Sequence, residues 1–507
     1  MKRISLALVG LLAACGGNTP APAVSTARPA SAAVLSSPPS ADASADFRTK
    51  VPTPGALKPP VFPSPMVREL PNGITLVAYE MHGVPVVRTT MVGFATKSAA
   101  STVRWQFAQR ITAKHSVTAL ASAWQALGAE HGAIVGDDAG GLSAKVLAKD
   151  FGASVDLLAE EWLQPSKDAA ELGRLKEELV DGVKNERADL KSVARNLVRI
   201  PLERYTRADS GAEKDIEAIT IADVMKDARR LKLAYTAQPE LPSVACPTVV
   251  FVVGDIAVAE AEKRIGAMVC PKLIGGVGGG YSGKGRQGVW RMNARKGATQ
   301  VHLYLSTHGV PFGTSDERAA FWVASEILGG SFSSRINMNL REKNAFTYGA
   351  YARYRPFATN GLFSMGGPMK ADKAGEALKE MNAELERIRT EPVTDDELRR
   401  AKDSWLRTLA ARYETADDVV GAWLSDMITR DGSDEKNSFA TEASRFTKAI
   451  EAVTKEDVLK VAKQLLDPKR LDLVTVGDPD VIKAELEPLK LGDPLMYDEL
   501  GAPLNAK

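Results

Sequence analysis

Histidine and cysteine are scarce in this chain, five and three among 507 residues. The histidines are His82, His115, His131, His302 and His308, and no two lie three to five positions apart. That spacing excludes a pair of imidazoles on one helical face, the usual way a helix holds zinc. Charge of one sign is also missing. The net charge is +2, which gives no electrostatic case for a nucleic-acid partner. Nowhere is there an apolar run long enough to cross a bilayer as a helix. Serines, histidines and aspartates are scattered without the local motif of a nucleophilic triad.

What is present reads as a globular protein behind a targeting segment. Hydrophobic residues make up 44% and charged residues 25%, and the length allows two or more cores. At the start, Lys2 and Arg3 precede the short apolar run Ile4 to Leu12, the pattern of a secretory signal. Leu12-Ala13-Ala14-Cys15 then looks like a lipoprotein cleavage box, with Cys15 as the lipidated first residue of the mature chain. Gly16, with no Asp at that position, resembles the sorting signal of an outer-membrane lipoprotein facing the periplasm. Residues 16–65 are rich in Ala, Pro and Ser and cannot bury a core, so a disordered tether is expected there.

The folded part is expected from Met66. LPNGITLVAYE has a turn at Pro71-Asn72-Gly73 followed by alternation at Ile74, Leu76 and Ala78, and a second strand pattern runs from Val84 to Gly93. Helical patterns cover about 101–127 and 153–196. This is an α+β chain. An internal repeat divides it. Ile216-Glu217-Ala218-Ile219-Thr220 with Asp223, Val224 and Lys226 recurs as Ile450-Glu451-Ala452-Val453-Thr454 with Asp457, Val458 and Lys460. In each copy the Thr reads as a helix N-cap with Asp three residues on. Each copy also leads to a strand ending in Gly-Asp, at Asp255 and at Asp478. Two homologous halves, 66–272 and 289–490, are therefore expected, joined by a Gly-rich linker at 273–288 and followed by a tail at 491–507. The linker has a phosphate-loop spacing at Gly278 to Lys284, but Gly285 stands where Ser or Thr is needed and no strand leads into it.

One stretch carries the strongest motif: ILGGSFSSRINMNLREKNAFTYGA, Ile327 to Ala350. An apolar helix pattern stops at Gly329-Gly330. A second helical pattern follows, with Ile336, Met338 and Leu340 beside a basic face of Arg335 and Arg341. If that helix ends near Lys343 and a strand begins at Phe346, Arg341 and Tyr348 converge at the junction. A planar guanidinium and a phenol together suit a peptide carbonyl or a developing oxyanion. The run LGGSFSSRINMNLREK followed by Thr347-Tyr348-Gly349 resembles the C-terminal half of the insulinase/pitrilysin-type metallopeptidases, closest to their short, mitochondrial-processing-peptidase-like branch. The resemblance departs at Ala345, where the family usually has Gly. It also matches Gln300, which in the family opens a strand. It implies two α/β-sandwich-like halves forming a clamshell, with Arg341 and Tyr348 binding substrate across the cleft from zinc.

The other half of that chemistry is missing. Active relatives bind zinc through His-x-x-Glu-His on a helix of the N-terminal half, with a further Glu downstream. By the resemblance that helix falls at about 101–113, where STVRWQFAQRITA contains no His, Asp or Glu. His131 sits in a strand region and matches neither zinc ligand. Glu177, Glu178 and Asp181 fall near the distal Glu position but have no His partners. The resemblance thus implies a chain with no catalytic residue or metal ligand of its own, inactive alone. It would be the substrate-binding subunit of a heterodimer whose zinc-bearing homologous partner cleaves the peptide. The alternative is a catalytically inactive scaffold at the outer membrane. In an oxidising compartment Cys246 and Cys270 either form a disulfide, if the helix between them runs back along the preceding strand, or remain two buried thiols.

Overall fold

The structure is a computed structural model. It describes residues 61–94, 98–136, 139–200, 212–227, 248–269, 288–309, 315–356, 361–429 and 439–504. Cys15, Cys246, Cys270, most of the expected tether and almost all of the linker lie outside them.

Two six-stranded sheets form the frame. The first contains β1 (Met66–Glu69), β2 (Thr75–Glu80), β3 (Val86–Phe94), β4 (Glu130–Val135), β5 (Ala139–Leu147) and β6 (Thr248–Gly254), in the order β1-β2-β6-β3-β5-β4. The second contains β7 (Trp290–Ala294), β8 (Gln300–Gly309), β9 (Tyr351–Pro356), β10 (Gly361–Lys370), β11 (Asp472–Gly477) and β12 (Leu495–Met496), in the order β12-β7-β11-β8-β10-β9. The sheets correspond. The parallel pair β2–β6 matches the parallel pair β7–β11, and β3 and β8 lie antiparallel to β6 and β11 respectively. Within the tail, Leu495 and Met496 extend the second sheet beside β7.

In the first half the helices are α1 (Ala99–Ala108), α2 (Val117–Ala126), α3 (Phe151–Leu163), α4 (Ala169–Ala188), α5 (Leu190–Val198), α6 (Glu213–Glu217), α7 (Ile221–Asp227) and α8 (Val258–Gly266). The second half has α9 (Ser315–Gly329), α10 (Arg335–Asn337), α11 (Ala374–Thr390), α12 (Asp395–Arg412), α13 (Ala416–Thr429), α14 (Phe439–Ala452), α15 (Lys455–Leu465) and α16 (Pro479–Leu486). The helical pattern expected over 101–127 is two helices. The Ser116 side chain caps the second, and the Thr112 hydroxyl accepts the Lys114 and His115 N–H groups in the turn between them. Both repeat copies keep their caps. Thr220 accepts from the Asp223 amide at 3.3 Å and Thr454 from the Asp457 amide at 3.2 Å, with each Asp bonding back to the Thr amide.

Each sheet is covered on one face by helices of its own half. Val250, Met91 and Leu142 pack with Leu158, Trp162 and Trp124, while Leu303, Met365 and Val301 pack with Phe321, Leu378 and Val461. The other faces are covered by exchange. Helix α13 places Ala416, Val419, Val420 and Trp423, at i, i+3, i+4 and i+7, against Val77, Val92, Phe251 and Val253 of the first sheet. Helix α5 places Val193, Ala194, Leu197 and Val198 against Val474 and Val476 of the second. Asp417 on α13 adds ion pairs to Arg88 at 3.2 Å and Lys145 at 2.9 Å.

Candidate functional site

The site stretch begins where α9 ends. Gly329 is required there, since a Cβ would come 2.0 Å from the Ala352 amide nitrogen. A turn then leads into α10, and residues Met338–Lys343 widen into one π-helical turn, an irregularity common at functional sites. The chain leaves this turn through Ala345, whose φ is +53°. The Ala345 amide donates to the Arg341 carbonyl at 3.1 Å and the Phe346 amide to the Leu340 carbonyl at 2.8 Å. A left-handed residue here explains why Gly is the usual occupant and why Ala is a departure. The strand starts at Tyr351 rather than at Phe346. Residues 346–350 form a connecting loop instead.

Side chains brace that loop from beneath. Asn337 donates to the Phe332 carbonyl at 2.7 Å and accepts from the Ala350 amide at 3.3 Å. The Thr347 hydroxyl donates to the Pro368 carbonyl at 2.5 Å and accepts from the Gly349 amide at 3.0 Å. Between these ties the Tyr348 ring is left 89% exposed, and its hydroxyl makes no hydrogen bond among the described residues. Arg341 lies over the ring of Phe332, 4.7 Å from its centroid, with Glu342 at 3.2 Å from Nε. Phe332 is itself 58% exposed, so its ring serves the guanidinium rather than the core. Arg341 and Tyr348 thus flank the Asn344-Ala345 turn, the guanidinium partly exposed and the phenol almost wholly so.

Arg335 does not share a face with Arg341. It is buried and grips Glu397 of α12 through two bonds, 2.7 Å from Nε and 2.9 Å from Nη2. Burial alone would raise the Glu397 pKa, but the guanidinium fork and the Thr394 amide hold it down at about 2. This anchor fastens the site turn to α12. Phe332, Asn337 and Thr347 were not singled out from the sequence. Asn337 ends α10 and Thr347 lies in the loop, each bonding backbone groups that sequence spacing does not announce, and the Phe reads as core.

In the first half, α1 occupies the position expected for the zinc-binding helix, and its residues do not fit the metal. Trp105 is buried against Trp162 at 4.5 Å, and the Arg104 guanidinium lies over the Trp105 ring. Arg110 bonds both oxygens of Glu178, at 2.7 and 3.0 Å, and approaches Glu171 at 3.1 Å. Glu178 is thus an ion-pair partner held below the usual carboxylate range by Arg110. Glu177 and Asp181 are exposed on α4, and Asp181 pairs with Lys184 at 3.0 Å. His131 stacks on Trp124 at 4.2 Å and meets Glu161 at 2.8 Å. Burial pushes the Glu161 carboxyl up. His115 pairs with Glu160 at 2.7 Å and His82 with Asp255 at 2.7 Å. Among the described residues no group of three or more His, Cys, Asp or Glu side chains is placed to hold a metal ion.

Comparison with known proteins places this architecture. Residues 248–404 match the peptidase M16 inactive domain. An uncharacterized zinc protease of Streptomyces coelicolor is 33% identical over 102 residues, 20% of this chain and 22% of that protein. One from Mycobacterium leprae is 26% identical over 184 residues, 36% of this chain and 39% of that protein. The matched stretches thus span well under half of those relatives. Among solved structures, a peptidase M16 inactive domain from Pseudomonas fluorescens superposes with a TM-score of 0.69 at 20% identity, covering 82% of this chain and 98% of that one. A protease from Helicobacter pylori gives 0.67 at 17% identity, covering 82% and 100%. The Leu328-to-Tyr348 motif lies within the matched region, so this part of the chain carries a peptidase M16 inactive domain, and the paired six-stranded sheets share the fold of those solved structures.

Proposed function

We propose that this chain is the non-zinc subunit of a two-chain peptidase, supplying the Arg341/Tyr348 side of a cleft whose cleavage chemistry resides in a zinc-bearing homologue. The observation that carries this reading is a contrast within one molecule. The Arg341/Tyr348 turn is braced by Asn337, Thr347 and the Arg335–Glu397 pair while the Tyr348 phenol stands exposed and the Arg341 guanidinium is partly exposed. The position expected for the metal helix, by contrast, is filled with Trp105, Arg104 and an Arg110–Glu178 pair. A scaffold has no use for an unpaired phenol held at the surface. In this reading Arg341 and Tyr348 donate hydrogen bonds to carbonyls of a peptide lying between the two chains. Lipid at Cys15 would hold the pair at the periplasmic face of an outer membrane.

The test is reconstitution of the mature chain with the homologue that carries His-x-x-Glu-His. Alone, the chain should hold no stoichiometric zinc and cleave no peptide. In the pair, Tyr348→Phe removes one donor and almost no volume, and cleavage should fall roughly 10- to 1,000-fold. Arg341→Lys should recover only part of the loss of Arg341→Ala, because an ammonium does not reproduce the planar fork. Wild-type turnover with Tyr348→Phe, at unchanged association, would leave the scaffold as the reading that stands.

A further inference from the structure

Strand β9 follows the site loop directly and is the terminal strand of its sheet; among the described residues no strand pairs with its outer edge. Its residues alternate. Ala352 and Tyr354 are buried towards α9, while Tyr351 and Arg353 are exposed on the other face. Arg353 lies 5.4 Å from the centroid of the Tyr351 ring, and the only other group it acts on among the described residues is the Tyr304 phenol. It therefore has no carboxylate partner there. Across the ladder, Tyr351 faces Gly366 and Arg353 faces Ser364, so small side chains leave this face low beside the two long ones. Tyr351 also reaches back to the site loop, its hydroxyl sitting 3.1 Å from where a Cβ on Gly349 would be.

An exposed strand edge presents unpaired N–H and C=O groups that an extended peptide can complete as an added strand. Side chains two residues apart on such a peptide lie on one face, about 6–7 Å apart, the spacing of Tyr351 and Arg353 along β9. A guanidinium beside an aromatic ring and lacking an anion is set to receive a carboxylate. We propose that the free edge of β9 binds an extended peptide, continuous with the Arg341/Tyr348 site, and that Arg353 selects an acidic side chain in it. This deepens the peptide-handling role proposed above and names the class of peptide, one carrying Glu or Asp on the face turned to Tyr351 and Arg353.

The test uses the full mature chain and fluorescein-labelled ten-residue Val/Thr-rich peptides, read by anisotropy. One has a single central Glu, one has Gln there and one has Lys. Two further Glu peptides are N-methylated at alternate amides in opposite registers. The Glu peptide should bind roughly fivefold tighter than the Gln peptide, as an exposed Arg–carboxylate pair allows, and the Lys peptide weakest. Arg353→Gln should abolish the preference while leaving Gln-peptide affinity unchanged, and Tyr351→Leu should reduce it. One N-methylated register should lose binding and the other keep it, the signature of strand addition. Equal affinity for Glu and Gln peptides, a preference that survives Arg353→Gln, equal tolerance of both N-methylated registers, or no binding of any peptide would each overturn the proposal. The two readings fail separately. If Arg353→Gln erases the preference but Tyr348→Phe leaves reconstituted cleavage untouched, the edge site stands and the subunit role falls. The reverse result removes only the edge site.

Discussion

Ala345 carries a backbone conformation that its side chain opposes. At φ +53° an L-residue with a Cβ costs about 1–2 kcal/mol relative to Gly, and part of that is returned because Gly frees the unfolded chain. Ala345→Gly should therefore raise stability by about 0.5–1 kcal/mol, measured by urea unfolding with unchanged slope. A loss of stability would mean that the methyl group supports the turn. The motif singles out Arg341 and Tyr348 because both belong to one contiguous stretch. It did not reveal that Arg335, read as part of the same basic face, is buried on Glu397, because that acid lies 62 positions away. Nor did it reveal Phe332 beneath Arg341, since an exposed Phe cannot be told from a core Phe by sequence spacing.

Elements defined by local chemistry were the ones most legible in advance. The repeated Thr-x-x-Asp boxes form as read, with bonds in both directions at Thr220 and Thr454. Helix α15 depends on its box at the seam between α14 and α15. Thr454→Ala removes the hydroxyl that accepts the Asp457 amide and should cost about 1 kcal/mol. Thr454→Ser should cost less than half of that, since it retains the acceptor. Equal losses would assign the effect to packing of the methyl group instead. Elements that depend on distant partners were not legible. The π-helical turn at Met338–Lys343 reads as ordinary helix, which moved the expected strand start to Phe346. The two-residue strand β12 is defined only by its pairing with β7, across roughly two hundred positions of sequence.

The whole molecule is held together by an exchange that no single segment announces. Helix α5 belongs to the first half in sequence but covers β8 and β11, and α13 belongs to the second half but covers β3 and β6. The repeat predicted two similar halves, and each helix has the expected apolar stripe, but a stripe does not say which sheet it will meet. The consequence is cooperative. Among the described residues neither sheet has both faces covered without a helix from the other half, so neither half forms a complete core on its own there. Trp423 is the largest side chain in the first of these seams. It is fully buried, with its ring 6.1 Å from that of Tyr79 and edge-on to it. Trp423→Ala should cost about 3–5 kcal/mol, as for other buried large-to-Ala changes. Because α13 links both cores, the loss should appear as one thermal transition moved to lower temperature, with calorimetric and van't Hoff enthalpies still in agreement. Independent halves would behave differently, with one transition displaced and the other left in place. A split trace in the Trp423→Ala variant would show that the exchanged helices decorate two self-sufficient domains rather than completing one cooperative unit.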